Sequence, residues 1–265
     1  MNRLAMLTLA ALACATAPTV LAQRTVTLPV GDTVARAVIA EQPGCAVDVL
    51  VLHDNENTGS DAAAAVIAER GGRLVDLRHT GARNLGFRLA EGDAQADSFY
   101  VDPNRIFSSV GARASLSDRS PEASATKGSA LDAAVRQVRQ FASRLLGVYG
   151  EPAVVVTAHN NTEARYAATS YAEGGPYADE AAALHLEPDA DPDDFFFVTD
   201  RALFDALAAQ GFNAVLQAPT ATDDGSLSVW AAQQGVPYVN VEAQHGHLAE
   251  QVRMMHALWD ALCEE

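Results

Sequence analysis

Basic residues are scarce in this chain: 18 Lys and Arg, with Lys127 the single lysine, stand against 34 Asp and Glu, for a net charge of -16. Nucleic acid and anionic membrane surfaces carry the same sign of charge, which argues against both as partners. Any site for an anionic group must rest on a few placed arginines. Long apolar runs are missing too, and beyond the first residues none approaches the ~20 residues that span a bilayer. No G-x-S-x-G elbow occurs, which disfavours a serine hydrolase. There are three cysteines in 265 residues. No internal repeat is found, and no linker cleanly divides domains.

What is present begins with a leader. Asn2 and Arg3 open the chain, Leu4 to Cys14 is apolar, and Val20-Leu21-Ala22 forms a small-residue cleavage site before Gln23. This reads as a secretory signal over residues 1–22, cleaved and followed by residues 23–265 in the periplasm or outside the cell. An uncleaved anchor is disfavoured because the run is short and Thr8, Thr16 and Pro18 interrupt it. Cys14 as an acylated residue fits poorly behind Ala11-Leu12-Ala13. The remaining ~240 residues suit one domain with a substantial core. Cys45 and Cys263 are then an even pair in an oxidising compartment; they either join the C-terminal helix to an early strand or stay unrelated.

Hydrophobic periodicity gives the architecture. Arg24 to Ile39 alternates apolar and polar around Gly31-Asp32, as an edge hairpin does. Val47 to Leu52 is apolar and β-branched, the pattern of a strand covered on both faces. A helix from Ala62 to Arg70, capped by Ser60 or Asp61 and closed by Gly71-Gly72, leads to a strand Arg73 to Leu77. Arg78 to Pro121 lacks a steady period and reads as a long, partly ordered excursion. Then come a helix Lys127–Leu146, strand Ala153–Thr157, a polar insertion Asn160–Asp194, strand Phe195–Val198 and a helix Asp200–Gln210 capped by Thr199. Strand Asn213–Gln217, helix Ser226–Gln234, strand Pro237–Glu242 and helix Leu248–Leu262 complete the chain. The expectation is a single α/β domain with a mostly parallel central sheet and helices on both faces.

In such sheets ligands bind beyond the carboxyl ends of the strands. Three strands here run into chemistry-bearing residues: His53-Asp54-Asn55-Glu56, His159 and Glu242. If the strands are parallel, all three lie at one sheet edge. A histidine and a carboxylate three residues apart at a strand-to-helix turn can both reach one cation, and a third ligand from another strand leaves a position for water, as in catalytic zinc sites. Zinc acidifies its water toward pKa ~7 and polarises a carbonyl, and a nearby carboxylate then serves as base. Alone, an H-x-x-E spacing is weak, and an isolated strand-end histidine is more often structural. The set carries the weight.

Four motifs in order resemble the zinc carboxypeptidase superfamily, including its aspartoacylase and succinylglutamate desuccinylase branch: His53 and Glu56 in LHDNENTG, Asn104 and Arg105 in DPNRIF, His159 in TAHNNTE, and Glu242 in VNVEAQHG. The resemblance spans roughly Val47 to Gly246. It implies one zinc ion on His53, Glu56 and His159, Glu242 as general base, and Asn104 and Arg105 on the substrate's free carboxylate, a task that suits a guanidinium fork. It also implies an oxyanion arginine, for which Arg78, Arg83 and Arg88 are all in range, and a mobile tyrosine, for which Tyr166, Tyr171 and Tyr177 are. Asp54 stands where the acylase branch usually has glycine, and Pro103 where leucine is common. The expected activity is hydrolysis of a peptide or amide bond in a small peptide next to a free carboxylate. The alternatives are an N-acyl amino-acid deacylase acting on an acylated amino acid, and a metal-bound binding module without turnover. The acidic residues from Glu173 to Asp194 lack the EF-hand glycine and final glutamate and read as a solvated loop. His245 and His247 either line the site or belong to the surface at a helix start.

Overall fold

The computed structural model describes residues 21–89, 98–120 and 128–263. Most of the leader, Cys14 included, together with Pro121 and Lys127, lies outside the described residues.

The strands are β1 (Ala22–Val30), β2 (Thr33–Gln42), β3 (Asp48–Val51), β4 (Gly72–Arg78), β5 (Leu85–Arg88), β6 (Ser98–Val101), β7 (Val155–Asn161), β8 (Ala181–His185), β9 (Phe195–Val198), β10 (Asn213–Gln217) and β11 (Tyr238–Gln244). The helices are α1 (Asn57–Arg70), α2 (Ser109–Arg119), α3 (Ser129–Tyr149), α4 (Arg201–Ala209), α5 (Leu227–Gln234) and α6 (Leu248–Cys263). Among the described residues nine strands form one sheet in the order β1-β2-β4-β3-β7-β11-β9-β10-β8, and β5 and β6 form a separate hairpin. Its centre, β4, β3, β7 and β11, is parallel. Both flanks turn antiparallel, at β2 beside β4 and at β9 beside β11. The α/β domain expected from the sequence is therefore present, with a mixed sheet around a parallel core.

Alternation along the buried strands divides the apolar core in two. Leu50, Val155 and Tyr238 face α2, α3 and α5, while Val49, Val51, Val156, Val239 and Val241 face α1, α4 and α6. Each large apolar side chain removed from water in this way contributes roughly 1.5–3 kcal/mol before entropy is counted. The α3 helix, with Leu131, Val135, Val138, Phe141 and Leu145 buried on one stripe, is the clearest amphipathic element.

Several boundaries differ from the sequence expectation, each for a tertiary reason. Helix α1 begins at Asn57, ahead of Ser60 and Asp61, because Gly59 lets its first turn approach β7: a Cβ there would sit 3.1 Å from the Ala158 Cβ. Its N-cap position is Glu56, with no side-chain cap. For α4 the cap is Asp200, whose side chain accepts from Leu203 N, while Thr199 Oγ1 accepts from Tyr238 N at 2.9 Å. Strand β8 was hidden in the polar insertion and pairs antiparallel with β10 at the sheet edge. The excursion after β4 holds the β5–β6 hairpin and α2, which packs on α3. Cys45 and Cys263 are joined in a disulfide that ties α6 to the β2–β3 connection. Nearby, buried Trp259 donates its indole N–H to Gly71 O at 3.0 Å.

Candidate metal centre

Because β3, β7 and β11 are parallel neighbours through β7, their carboxyl ends meet at one edge, and the three strand-end motifs meet with them. His53 follows β3 directly, and Glu56 N donates to His53 O at 3.1 Å, folding the H-x-x-E turn back on itself. His159 lies within β7, which runs on to Asn161, and Glu242 is its cross-strand neighbour on β11. All four are buried, with exposures of 1% for His53 and Glu56, 5% for His159 and 4% for Glu242.

The donor atoms converge. His53 Nδ1 lies 2.9 Å from Glu56 Oε1, His159 Nδ1 lies 2.7 Å from Glu56 Oε2, and the two Nδ1 atoms are 3.1 Å apart. Ligands ~2.0–2.1 Å from a tetrahedral zinc are about 3.3 Å from one another, so a small outward movement suffices to admit the ion. Proton accounting also favours a cation. His53 Nε2 faces the Asp102 carboxylate at 2.7 Å, which places a proton on that nitrogen and leaves Nδ1 as a lone pair in the neutral ring. That lone pair then confronts a carboxylate oxygen and a second imidazole nitrogen. Either an extra proton or a metal ion resolves the conflict. A carboxylate that accepts the outer N–H of a ligating histidine is the usual second layer of a metal site.

The electrostatics follow from this crowding. Burial opposes charge on His53, but the carboxylates of Glu56 and Asp102 outweigh it and lift its pKa to about 9. Burial likewise opposes charge on Glu56 and Asp102, and the histidines beside Glu56 and His53 beside Asp102 hold both carboxyls far below the usual range. His159 is pushed down by burial and keeps a buried Nε2 without a partner among the described residues. Glu242 is raised to about 8 by burial and then by the charge of Glu56.

Of the three arginines in range for an anionic oxygen, Arg83 reaches the centre: Nη1 donates to Glu56 Oε1 at 2.6 Å and Nη2 lies 3.6 Å from Asp102 Oδ2. Arg78 is held by Asp54, Asp76, Asn57 and Ser60, and Arg88 pairs with Asp32 on the surface. Asn104 and Arg105 follow β6 in a short 3-10 turn that Asp102 caps. Asn104 Oδ1 accepts from Leu227 N at 3.0 Å, leaving its Nδ2 without an acceptor among the described residues. The half-exposed Arg105 guanidinium donates to Asn104 O at 2.8 Å and lies 3.4 Å from Asp224. Tyr166 and Tyr171 share a hydroxyl contact of 2.6 Å in an aromatic group around Phe195, whose Cα partner across the sheet is Glu242. Tyr177, 44% exposed, packs edge-on against Tyr166 and tilted against Tyr171.

Three contributors, Asp102, Asn160 and Gln251, were not legible as roles from the sequence. Asp102 follows β6 directly and obeys the same strand-end logic as the candidate ligands, yet its partner His53 is 49 residues away. Asn160 and Gln251 brace the site from the opposite face. The Asn160 amide donates to Gln251 Oε1 and accepts from Gly59 N, and Gln251 Nε2 lies 3.0 Å from both His159 O and Val241 O. His247 does not join the centre; it pairs with Asp194 at 2.9 Å. His245 is exposed.

No family model matches the chain, and no curated protein matches it. Solved structures do. Murein-tripeptide amidase MpaA from Escherichia coli O157 is 14% identical with a TM-score of 0.44, over 91% of this chain and 92% of that one. An aspartoacylase family protein from Mesorhizobium loti is 15% identical with a TM-score of 0.43, over 91% of this chain and 67% of that one. The chain is also similar to a succinylglutamate desuccinylase/aspartoacylase from Rhodobacter sphaeroides, at 13% identity and a TM-score of 0.42, over 94% of this chain and 67% of that one.

Proposed function

We propose that the chain is an exported, zinc-dependent hydrolase that cleaves a peptide or amide bond next to a free carboxylate in a small substrate. The observation that carries this reading is the convergence of His53 Nδ1, Glu56 and His159 Nδ1, with buried Glu242 in register beside His159. When bound, a zinc ion supplies Lewis acidity, polarising a carbonyl oxygen and acidifying water. Glu242 takes the proton from water and delivers it to the leaving amine, so that water and amide become acid and amine. Arg83 brings positive charge to the ligands, suited to an oxygen on which negative charge develops. Arg105 offers a two-pronged fork and Asn104 a spare Nδ2–H to the substrate's carboxylate. In so acidic a chain few other groups can serve that purpose. Export rests on the leader pattern, and a Cys45–Cys263 disulfide suits an oxidising compartment.

Zinc content and hydrolysis of a panel of short peptides and acylated amino acids, compared between the native chain and Glu242→Gln, test the reading. Bound zinc with turnover abolished in Glu242→Gln is the expected result. Zinc bound with no turnover across the panel favours a binding module, and no zinc after chelator-free purification overturns the assignment.

A further inference from the structure

Behind Glu242 a line of buried polar side chains runs along the sheet face that carries His159. Cross-strand register pairs Asn240 with Thr157 and Glu242 with His159, so side chains two residues apart on each strand share that face. Tyr238 OH lies 2.7 Å from Thr157 Oγ1, Thr157 Oγ1 donates to Asn240 Oδ1 at 3.2 Å, and Asn240 Nδ2 donates to Glu242 Oε2 at 2.9 Å. Exposure is 2% for Tyr238, 0% for Thr157 and 5% for Asn240, so water does not compete along the chain.

The order of donors is forced. Among the described residues the buried Tyr238 hydroxyl has Thr157 Oγ1 as its one hydrogen-bond partner, so its proton goes there, and the single proton of the threonine hydroxyl is left for Asn240 Oδ1. An asparagine amide is nearly symmetric in shape, and turned over it would set Oδ1 against the Glu242 carboxylate. The Thr157 proton prevents that by holding Oδ1 on the far side. Among the described residues Asn240 supplies the one hydrogen bond to the Glu242 carboxyl. It pins Oε2, leaves Oε1 for proton transfer, and supports the ionised form in a site whose burial opposes charge.

We propose that Asn240 is a positioning residue for the general base, with its amide orientation set by Thr157 and Tyr238. This inference rests on the reading of Glu242 as base.

The test compares Asn240→Leu, Thr157→Val and Thr157→Ser with the native protein and Glu242→Gln, by kcat, KM, zinc content and the side-chain amide NMR resonances of Asn240. Asn240→Leu, close in shape but without the donor, is expected to lower kcat about tenfold or more with KM and zinc content within about twofold. Thr157→Val lowers kcat by a smaller factor because the amide is free to turn, and Thr157→Ser, which keeps the hydroxyl, restores it. In the spectrum, a downfield Nδ2 proton moves in Thr157→Val and Glu242→Gln and stays in Thr157→Ser. Native kcat and an unmoved amide resonance in Thr157→Val, together with native kcat in Asn240→Leu, overturn the inference while an inactive Glu242→Gln leaves the base assignment standing. An active Glu242→Gln overturns both.

Discussion

Among the described residues two groups of side chains bring histidine and carboxylate atoms within reach of one cation, His53–Glu56–His159 and Asp191–Asp194–His247. They differ in what the atoms already hold. In the second group Asp194 Oδ1 accepts from Gln244 N, its Oδ2 accepts from His247, and Asp191 Oδ1 accepts from Asp193 N. Both Asp194 oxygens there have donors, Asp191 is exposed, and the hydrogen bond to Asp194 raises the His247 pKa, so the group is a settled ion pair. In the first group two Nδ1 atoms and both oxygens of one carboxylate crowd together in a site shut off from water, an arrangement that calls for an added proton or a metal ion. Crowded ligand atoms in a dry site, more than the count of ligand types, make the first group the better candidate for a metal ion.

The sharpest way to break this comparison is to remove one ligand from each group. His159→Ala is expected to abolish zinc binding and with it at least about a thousandfold of activity, whereas His247→Ala keeps both; metal analysis and turnover of the purified variants decide. Next in size is Glu242→Gln, which should lose about 10²–10⁴ in kcat with zinc retained, because it removes the base and no ligand. Arg105→Ala should raise KM roughly 10–100-fold for substrates with a free carboxylate and leave substrates with that group amidated almost unchanged.

The smallest effect concerns stability. Without metal, the folded protein holds protons on His53 up to about pH 9 and on Glu242 up to about pH 8, whereas the ordinary values for the two groups are 6.5 and 4.5. The folded state therefore binds more protons than the unfolded chain, and stability falls as pH rises from 7 through these values. Chelator-treated protein should lose roughly 5 °C of Tm between pH 7 and 9, and zinc should remove that dependence by taking the place of the His53 proton. An equal fall with zinc present would contradict the assignment of His53 as a ligand.

Much of the centre was legible because strand ends are easy to find. Val49 to Leu52 is an unbroken apolar run, Val155 to Thr157 is β-branched throughout, Asn240 alone interrupts Tyr238 to Val241, and each stretch runs into or just short of a candidate ligand or the candidate base. The reach of β7 past His159 was not, since Asn160 and Asn161 look like loop residues until Gln251 and the Asp193 carbonyl satisfy their amides. Nor was the reversed direction of β9, because an apolar tetrapeptide carries no sense of orientation. Asp102 and the Tyr238–Thr157–Asn240 line depend on pairings between separate strands, and spacing in one chain does not encode them. Arg83 could be chosen from three arginines only when Asp54 and Asp32 were seen to engage the other two.

The most direct test of the account is X-ray absorption at the zinc edge on protein purified without chelator, with metal content measured alongside. The account predicts about one zinc per chain, bound by two imidazole nitrogens and carboxylate oxygen, and lost in both His53→Ala and His159→Ala. A native protein that binds no zinc, or one whose zinc signal survives both substitutions, would contradict it.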